Sequence, residues 1–244
     1  MNRRRYLALS SGTLAALAGC SGGSDGSDGA GPTAEPETDP QPTTEAPTPN
    51  QTKTEGPETL SSYQFEGTGE DSTDTFEVMG ALVTLAVEHT GDGQFQLTVV
   101  SSNKETKRSF IDHSGAFQGE LPVPLEAGEW HLEIAADGAW QVGVEELQFT
   151  EANLQPLPIE GGGDGQYADW FGPIAFEGTT EISFQIVDES TARVWLANDT
   201  GVQVERLHST TGPYEETVET TQEGYGIIVV GGSSPNWSIT ISNS

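Results

Sequence analysis

From residue 60 onward, apolar and polar positions alternate in short runs, such as Phe95-Gln96-Leu97-Thr98-Val99 and Trp130-His131-Leu132-Glu133-Ile134. Further runs cover residues 82–87 and 140–144, and Gly, Asp, Asn or Pro punctuate the gaps between them. A period of two places alternate side chains on opposite faces, which predicts half-buried strands. No stretch carries the 3.6-residue period of an amphipathic helix, so the pattern predicts an all-β protein with antiparallel sandwiches.

The runs recur at a nearly fixed offset. Gly115-Ala116-Phe117 returns as Gly212-Pro213-Tyr214, and Gly128 with Leu132 and Ile134 returns as Gly224 with Ile228 and Val230. Trp140-Gln141-Val142-Gly143-Val144 returns as Trp237-Ser238-Ile239-Thr240-Ile241. Such self-similarity marks a repeated structural unit. It predicts two tandem β-sandwich modules of jelly-roll-like form, over residues 60–150 and 160–244, joined by a short linker whose first half is apolar. Trp140 and Trp237 begin equivalent strands and are expected in the two cores.

Comparing faces between the copies adds a second expectation. If Leu132 and Ile134 point inward, then Glu129, His131 and Glu133 point outward, and their counterparts are Tyr225, Ile227 and Val229. The same comparison turns Trp195 outward where the first copy has Thr98. A polar face has thus become apolar, and large exposed apolar patches are uncommon on monomers. Trp195, Tyr225, Ile227 and Val229 are therefore interface candidates. They are expected to be covered by the first module or by residues 154–159, with a partner as the alternative.

The segment before residue 60 reads differently. Residues 21–59 hold seven of the fourteen prolines together with Thr, Ser, Glu and Gly, and show no apolar period. No core can form from such a composition, so a disordered, semi-extended stalk is expected. Residues 1–20 carry Arg3, Arg4 and Arg5, then a short apolar stretch rich in small residues, which is the layout of an export signal. Arg3 and Arg4 with Arg5-Tyr6-Leu7 resemble a twin-arginine export motif, and Leu17-Ala18-Gly19-Cys20 resembles a lipobox. Together they predict lipid attachment at Cys20 and an extracytoplasmic position on the outer face of the cell membrane. Cys20 is the only cysteine, so no intramolecular disulfide can form.

Charge narrows the partners. Beyond residue 20 there are six Lys and Arg against 38 Asp and Glu, a net of −32. Such self-repulsion opposes compaction in dilute buffer, whereas near 1 M salt the Debye length falls to about 3 Å. The composition resembles that of exported proteins from salt-loving archaea. Nucleic acid is excluded as a partner by the sign of the charge.

Phe65-Glu66-Gly67-Thr68-Gly69, Gly91-Asp92-Gly93-Gln94-Phe95, Gly115-Ala116-Phe117, Ala127-Gly128-Glu129-Trp130 and Asp137-Gly138-Ala139-Trp140 make the first module similar to β-rich surface repeats of exported haloarchaeal and bacterial proteins. They also resemble, distantly, pre-peptidase C-terminal domains. That resemblance implies a fold and an adhesive or accessory role, and it implies no reaction.

No catalytic, metal or cofactor site is expected. His89, His113, His131 and His208 stand singly, and the acidic residues are scattered without a calcium-loop spacing. Asp112-His113-Ser114 has the residue types of a hydrolytic triad, but chain neighbours cannot adopt its geometry, and a turn is expected there. Asn50, Asn198 and Asn236 begin Asn-x-Ser/Thr sequences and are glycosylation candidates, Asn198 at an expected hairpin turn. The chain therefore reads as a surface lipoprotein acting as a non-catalytic binding or structural module toward a protein or glycan partner. An accessory or substrate-binding part of an extracellular enzyme is the alternative.

Overall fold

The computed structural model describes residues 57–163, 167–232 and 236–244. Cys20, Arg3, Arg4 and Asn50 lie outside the described residues. Nearly every described segment is a strand, as the alternating pattern predicts. In the first half these are β1 (Glu58–Thr68), β2 (Asp71–Ser72), β3 (Phe76–Val78), β4 (Leu82–His89), β5 (Gln94–Ser101), β6 (Lys107–Ser114), β7 (Phe117–Val123), β8 (Gly128–Ala136) and β9 (Ala139–Gln148). A single 3-10 turn, Glu151–Asn153, leads to the second half. There follow β10 (Ile159–Gly162), β11 (Ala168–Phe176), β12 (Thr180–Ile186), β13 (Thr191–Asn198), β14 (Gln203–Thr211), β15 (Tyr214–Thr220), β16 (Gly224–Gly232) and β17 (Trp237–Asn243).

The repeat visible in the sequence is a repeat of topology. In the first half, β1-β9-β4-β7 form one sheet layer, while β8-β5-β6 form the other with β2 and β3 on the outer side of β8. In the second half, β10-β17-β12-β15 and β11-β16-β13-β14 repeat both orders strand for strand. Two layers in which the first strand lies beside the last, and sequence neighbours, β2 and β3 aside, cross between layers except at the β5–β6 and β13–β14 hairpins, make a jelly roll. Shifting β5 or β7 by 97 residues reproduces the bounds of β13 or β15, and shifting β8 by 96 reproduces those of β16.

Each roll has its own core. Val83, Leu85 and Val87 meet Phe95, Leu97, Val99, Leu132, Ile134, Trp140 and Val142 in the first. Ile182, Phe184 and Ile186 meet Val194, Leu196, Ile228, Val230, Trp237 and Ile239 in the second. Trp140 and Trp237 are 2% and 5% exposed, so both occupy cores. Trp140 Nε1 donates to Gly69 O at 3.1 Å, which satisfies its one polar atom.

Two details differ from the sequence reading. Strand β1 starts at Glu58, inside the segment expected to be stalk, because residues 58–68 pair along β9. Asp112, His113 and Ser114 belong to strand β6, and the turn falls on Gly115 at φ 95°. That dihedral is left-handed and favours glycine, which is why the turn waits one residue.

The rolls also share a sheet. Strand β7 pairs in parallel with β11 at Gly119 and Ala168, which joins four strands of the first roll to four of the second in one eight-stranded sheet. A Cβ on Gly119 would lie 2.9 Å from Ala168 N, so the close approach depends on the missing side chain. Tyr167 N–H donates to Gln118 O at 2.8 Å, extending the junction by one bond.

Candidate functional site: the seam between the rolls

Strand β4 is buried on both faces. Val83, Leu85 and Val87 face the first core, which leaves Leu82 and Thr84 facing outward, yet these are 0% and 1% exposed. What covers Leu82 is the second roll. Leu82 and Leu147 form a separate buried cluster with Ala197, Ile227 and Val229, against which Phe149, Trp170 and Trp195 pack. The eight-stranded sheet thus bends at its β7–β11 joint and closes two outer faces on each other.

The structure accordingly places three of the four interface candidates in this seam. Ile227 and Val229 are both 0% exposed, and Trp195, half-buried, pairs in register with Val229 across β13 and β16. Tyr225 does not join them: it is 46% exposed at the start of β16, and its hydroxyl donates to Glu151 Oε1 at 3.2 Å. The expected linker contributes less than the face comparison suggests, because Leu157 packs on the core of the second roll. Gly201, in the β13–β14 turn, adds to the seam, since a Cβ there would lie 3.0 Å from Leu82 Cδ1.

The seam cannot be repeated outward. Under the repeat offsets, Ile227, Val229 and Trp195 correspond to His131, Glu133 and Thr98, while Leu82 and Leu147 correspond to Thr179 and Ser244. Each roll therefore carries one apolar outer face, on opposite layers, and the counterpart of each is polar. At the edges the same holds: Gly119, where a Cβ would lie 2.9 Å from Ala168 N, corresponds to Glu216, which does carry a Cβ.

Polar groups line the rim. Trp170 Nε1 donates to Glu120 Oε1 at 2.8 Å, crossing from β11 to β7. Burial pushes the Glu120 carboxyl above its usual range, against the Trp170 and Thr84 hydrogen bonds, and the charges of Asp169 and Glu145 push the same way. On another side of the joint, Tyr167 stacks on Phe117 with centroids 5.6 Å apart and packs on His113 at 4.5 Å. Desolvation there holds the His113 ring below its ordinary range, partly offset by a backbone hydrogen bond at Ala116.

Two buried polar side chains outside the seam have structural employment. Glu146, 0% exposed, accepts from the N–H groups of Met79 at 2.8 Å and Ala81 at 2.9 Å, and from Ser61 Oγ at 3.3 Å. It fixes the β3–β4 turn against β9. His89 stacks on Phe95 at 4.7 Å, with Nδ1 3.0 Å from Gly115 O and Nε2 3.2 Å from Asp137 Oδ1. Three turns of the first roll meet around this ring, and a Cβ on Gly91 would strike Asp137 Oδ1 at 2.0 Å. Neither residue was legible as a node, because the contacts span 26 to 85 positions of chain.

Of the other two histidines, His131 lies 4.0 Å from Glu133, and His208 stacks on Tyr214 at 4.2 Å, 3.3 Å from Glu216. Among the described residues, no group of three His, Cys, Asp or Glu is placed to hold a metal ion. Asn198 closes the β13–β14 hairpin, and Asn236 is exposed just before β17.

No family model matches the chain, and no curated protein sequence matches it. Among solved structures it is similar to the PBSX exported protein XepA, at 12% identity and a TM-score of 0.29, covering 75% of this chain and 84% of that one. It is also similar to vicilin from Corylus avellana (hazelnut), at 12% identity and TM-score 0.23, covering 73% of each chain. A third is the N-terminal CBM22-1-CBM22-2 tandem domain from Paenibacillus barcinonensis Xyn10C, at 9% identity and TM-score 0.24, covering 79% of this chain and 97% of that one. At these identities and scores the likenesses assign no site.

Proposed function

We propose that the chain is a cell-surface lipoprotein, anchored through lipid on Cys20, that displays a non-catalytic two-roll body to a protein or glycan partner in high salt. The observation that carries the reading is the order Arg3-Arg4-Arg5, short apolar stretch, Leu17-Ala18-Gly19-Cys20, then a Pro- and Thr-rich segment leading into the rolls. The closed seam supports it: a body that spends its apolar outer faces internally leaves an acidic, hydrated exterior suited to molar salt. The polar chemistry found inside is occupied with holding turns and rolls together, as Glu146, His89 and Glu120 illustrate.

Surface labelling tests this. On intact cells that make the protein, a membrane-impermeant amine reagent should modify Lys104 or Lys107, both on the exposed β5–β6 hairpin. Replacing Arg3 and Arg4 together by Lys should abolish the labelling and leave precursor inside. Labelling that is absent from wild type on intact cells but present after lysis would refute surface display.

A further inference from the structure

The chain has two Asn-x-Ser/Thr sequences among the described residues, and the structure treats them differently. Asn198-Asp199-Thr200 forms the turn between β13 and β14, where Asn198 N–H donates to Val202 O and Gly201 N–H to Asn198 O, each at 3.0 Å. The Asn198 side chain is held by its oxygen: Thr200 N–H at 3.1 Å, Thr200 Oγ1 at 2.9 Å and Val202 N–H at 2.9 Å all donate to Oδ1. Those three bonds fix the plane of the carboxamide and direct Nδ2 away from the turn. All the side-chain bonds of Asn198 go to Oδ1, so Nδ2 has no partner among the described residues; it is also not one of the buried unpartnered atoms, and it therefore meets solvent. Asp199, the middle residue, is exposed.

Asn236-Trp237-Ser238 offers none of this. Asn236 Nδ2 donates to Asp188 Oδ2 at 3.2 Å. Trp237 is 5% exposed in the second core, and Ser238 pairs with Gly162 on one side and Gln185 on the other. An enzyme that must grip the three residues as a turn would have to pull a central strand out of its sheet.

From this contrast we propose that Asn198 is an N-linked glycan acceptor of the folded chain and that Asn236 is left bare. The inference rests on the export reading, in which the twin-arginine-like signal sends the protein across already folded, so that a sequence is usable only as the fold presents it. The chemistry is a glycosyl transfer. Nδ2 attacks the anomeric carbon of a glycosyl donor carried on a lipid phosphate, the C1–N bond forms, and the C1–O bond to phosphate breaks. The lipid phosphate leaves with its electron pair, and the displaced amide proton passes to a base of the transferase. A free carboxamide nitrogen is a poor nucleophile because its lone pair is shared with the carbonyl. The three donors on Oδ1 stabilise the charge that oxygen takes as Nδ2 gives up its proton, so the turn acidifies the group it presents.

The test is peptide mass analysis of the mature chain recovered from membranes of the cells that make it. The peptide holding Asn198 should carry sugar mass and the peptide holding Asn236 should not. Thr200→Ser should keep the modification, while Thr200→Val and Asn198→Gln should each reduce it at least tenfold in chain that still melts cooperatively, whatever the loss of turn bonds does to the midpoint. Bare Asn198 in membrane-bound chain, or sugar on Asn236 with Asn198 bare, overturns the inference. If the chain is instead retained inside with its signal intact, the export reading has failed. In that case purified, folded chain is incubated with membranes first verified to glycosylate a linear Asn-Asp-Thr peptide. Sugar appearing on Asn198 there upholds the acceptor geometry, and its absence overturns it.

Discussion

Ile227 lies on the outer face of β16, away from the core of its own roll, and yet is 0% exposed because the first roll covers it. Ile227→Ala removes three carbons from a closed seam. For a buried Ile or Leu cut to Ala the loss is about 2–5 kcal/mol, part transfer free energy and part cavity. On a solvated sheet face the same change falls within about 0.5 kcal/mol. The two cases are therefore separated by several-fold, which denaturant unfolding in molar salt resolves from the shift in midpoint at constant slope. Leu82→Ala on β4, in the same cluster but in the other roll, should cost a similar amount. The double variant should then lose less than the sum, with a coupling of about 0.5–3 kcal/mol, because the second truncation enters a seam already loosened. A cost for Ile227→Ala under about 0.5 kcal/mol, or strict additivity with Leu82→Ala, would refute the closed seam.

The buried polar groups give sharper variants. Glu146→Ala should destabilise by about 1–3 kcal/mol in the same unfolding assay, since it removes the buried acceptor of the Met79 and Ala81 N–H groups; a neutral result would remove its structural role. Glu120 holds its proton more tightly in the fold than in the unfolded chain, so its contribution is present below its ordinary range and is lost as pH rises through the raised folded value. Glu120→Gln should thus match wild type in acid and exceed it near neutrality, and equal differences at both pH values would contradict the burial argument. His113 has the opposite sense: its folded value is lowered, so stability is lost as pH falls below 6.5, and His113→Phe should flatten that acid limb in thermal melts. Lowering salt from molar to millimolar should lower the thermal midpoint of the wild-type protein, given 38 acidic residues against nine basic ones, whereas a flat midpoint would sink the high-salt reading.

Much of the architecture was legible because it is written in local pattern. Turn glycines such as Gly128 and Gly224, with the core tryptophans Trp140 and Trp237, mark equivalent strands, and the equivalence extends to the sheet order of two complete rolls. The apolar turn of Ile227 and Val229 was visible by comparing faces between copies, since a period of two assigns faces once one strand is anchored. What lies opposite was not visible. Leu82 sits in a run apolar on both faces, which reads equally well as a central strand, and only the bend at Gly119 shows that its cover comes from the other roll. The Glu120–Trp170 bond, 50 residues apart in sequence, left no local trace. Tyr225 lies outside the buried seam, because a face argument cannot tell where along a strand the cover ends.

Anchoring is the claim on which display depends, and one comparison addresses it: detergent partitioning of the mature chain, with and without Cys20→Ser, after signal removal is verified by mass. The lipoprotein account predicts that wild type enters the detergent phase with a lipid mass on its N-terminal cysteine, while Cys20→Ser stays aqueous or remains an uncleaved precursor. Mature wild type that carries no lipid, or a processed Cys20→Ser variant that partitions like wild type, would contradict it.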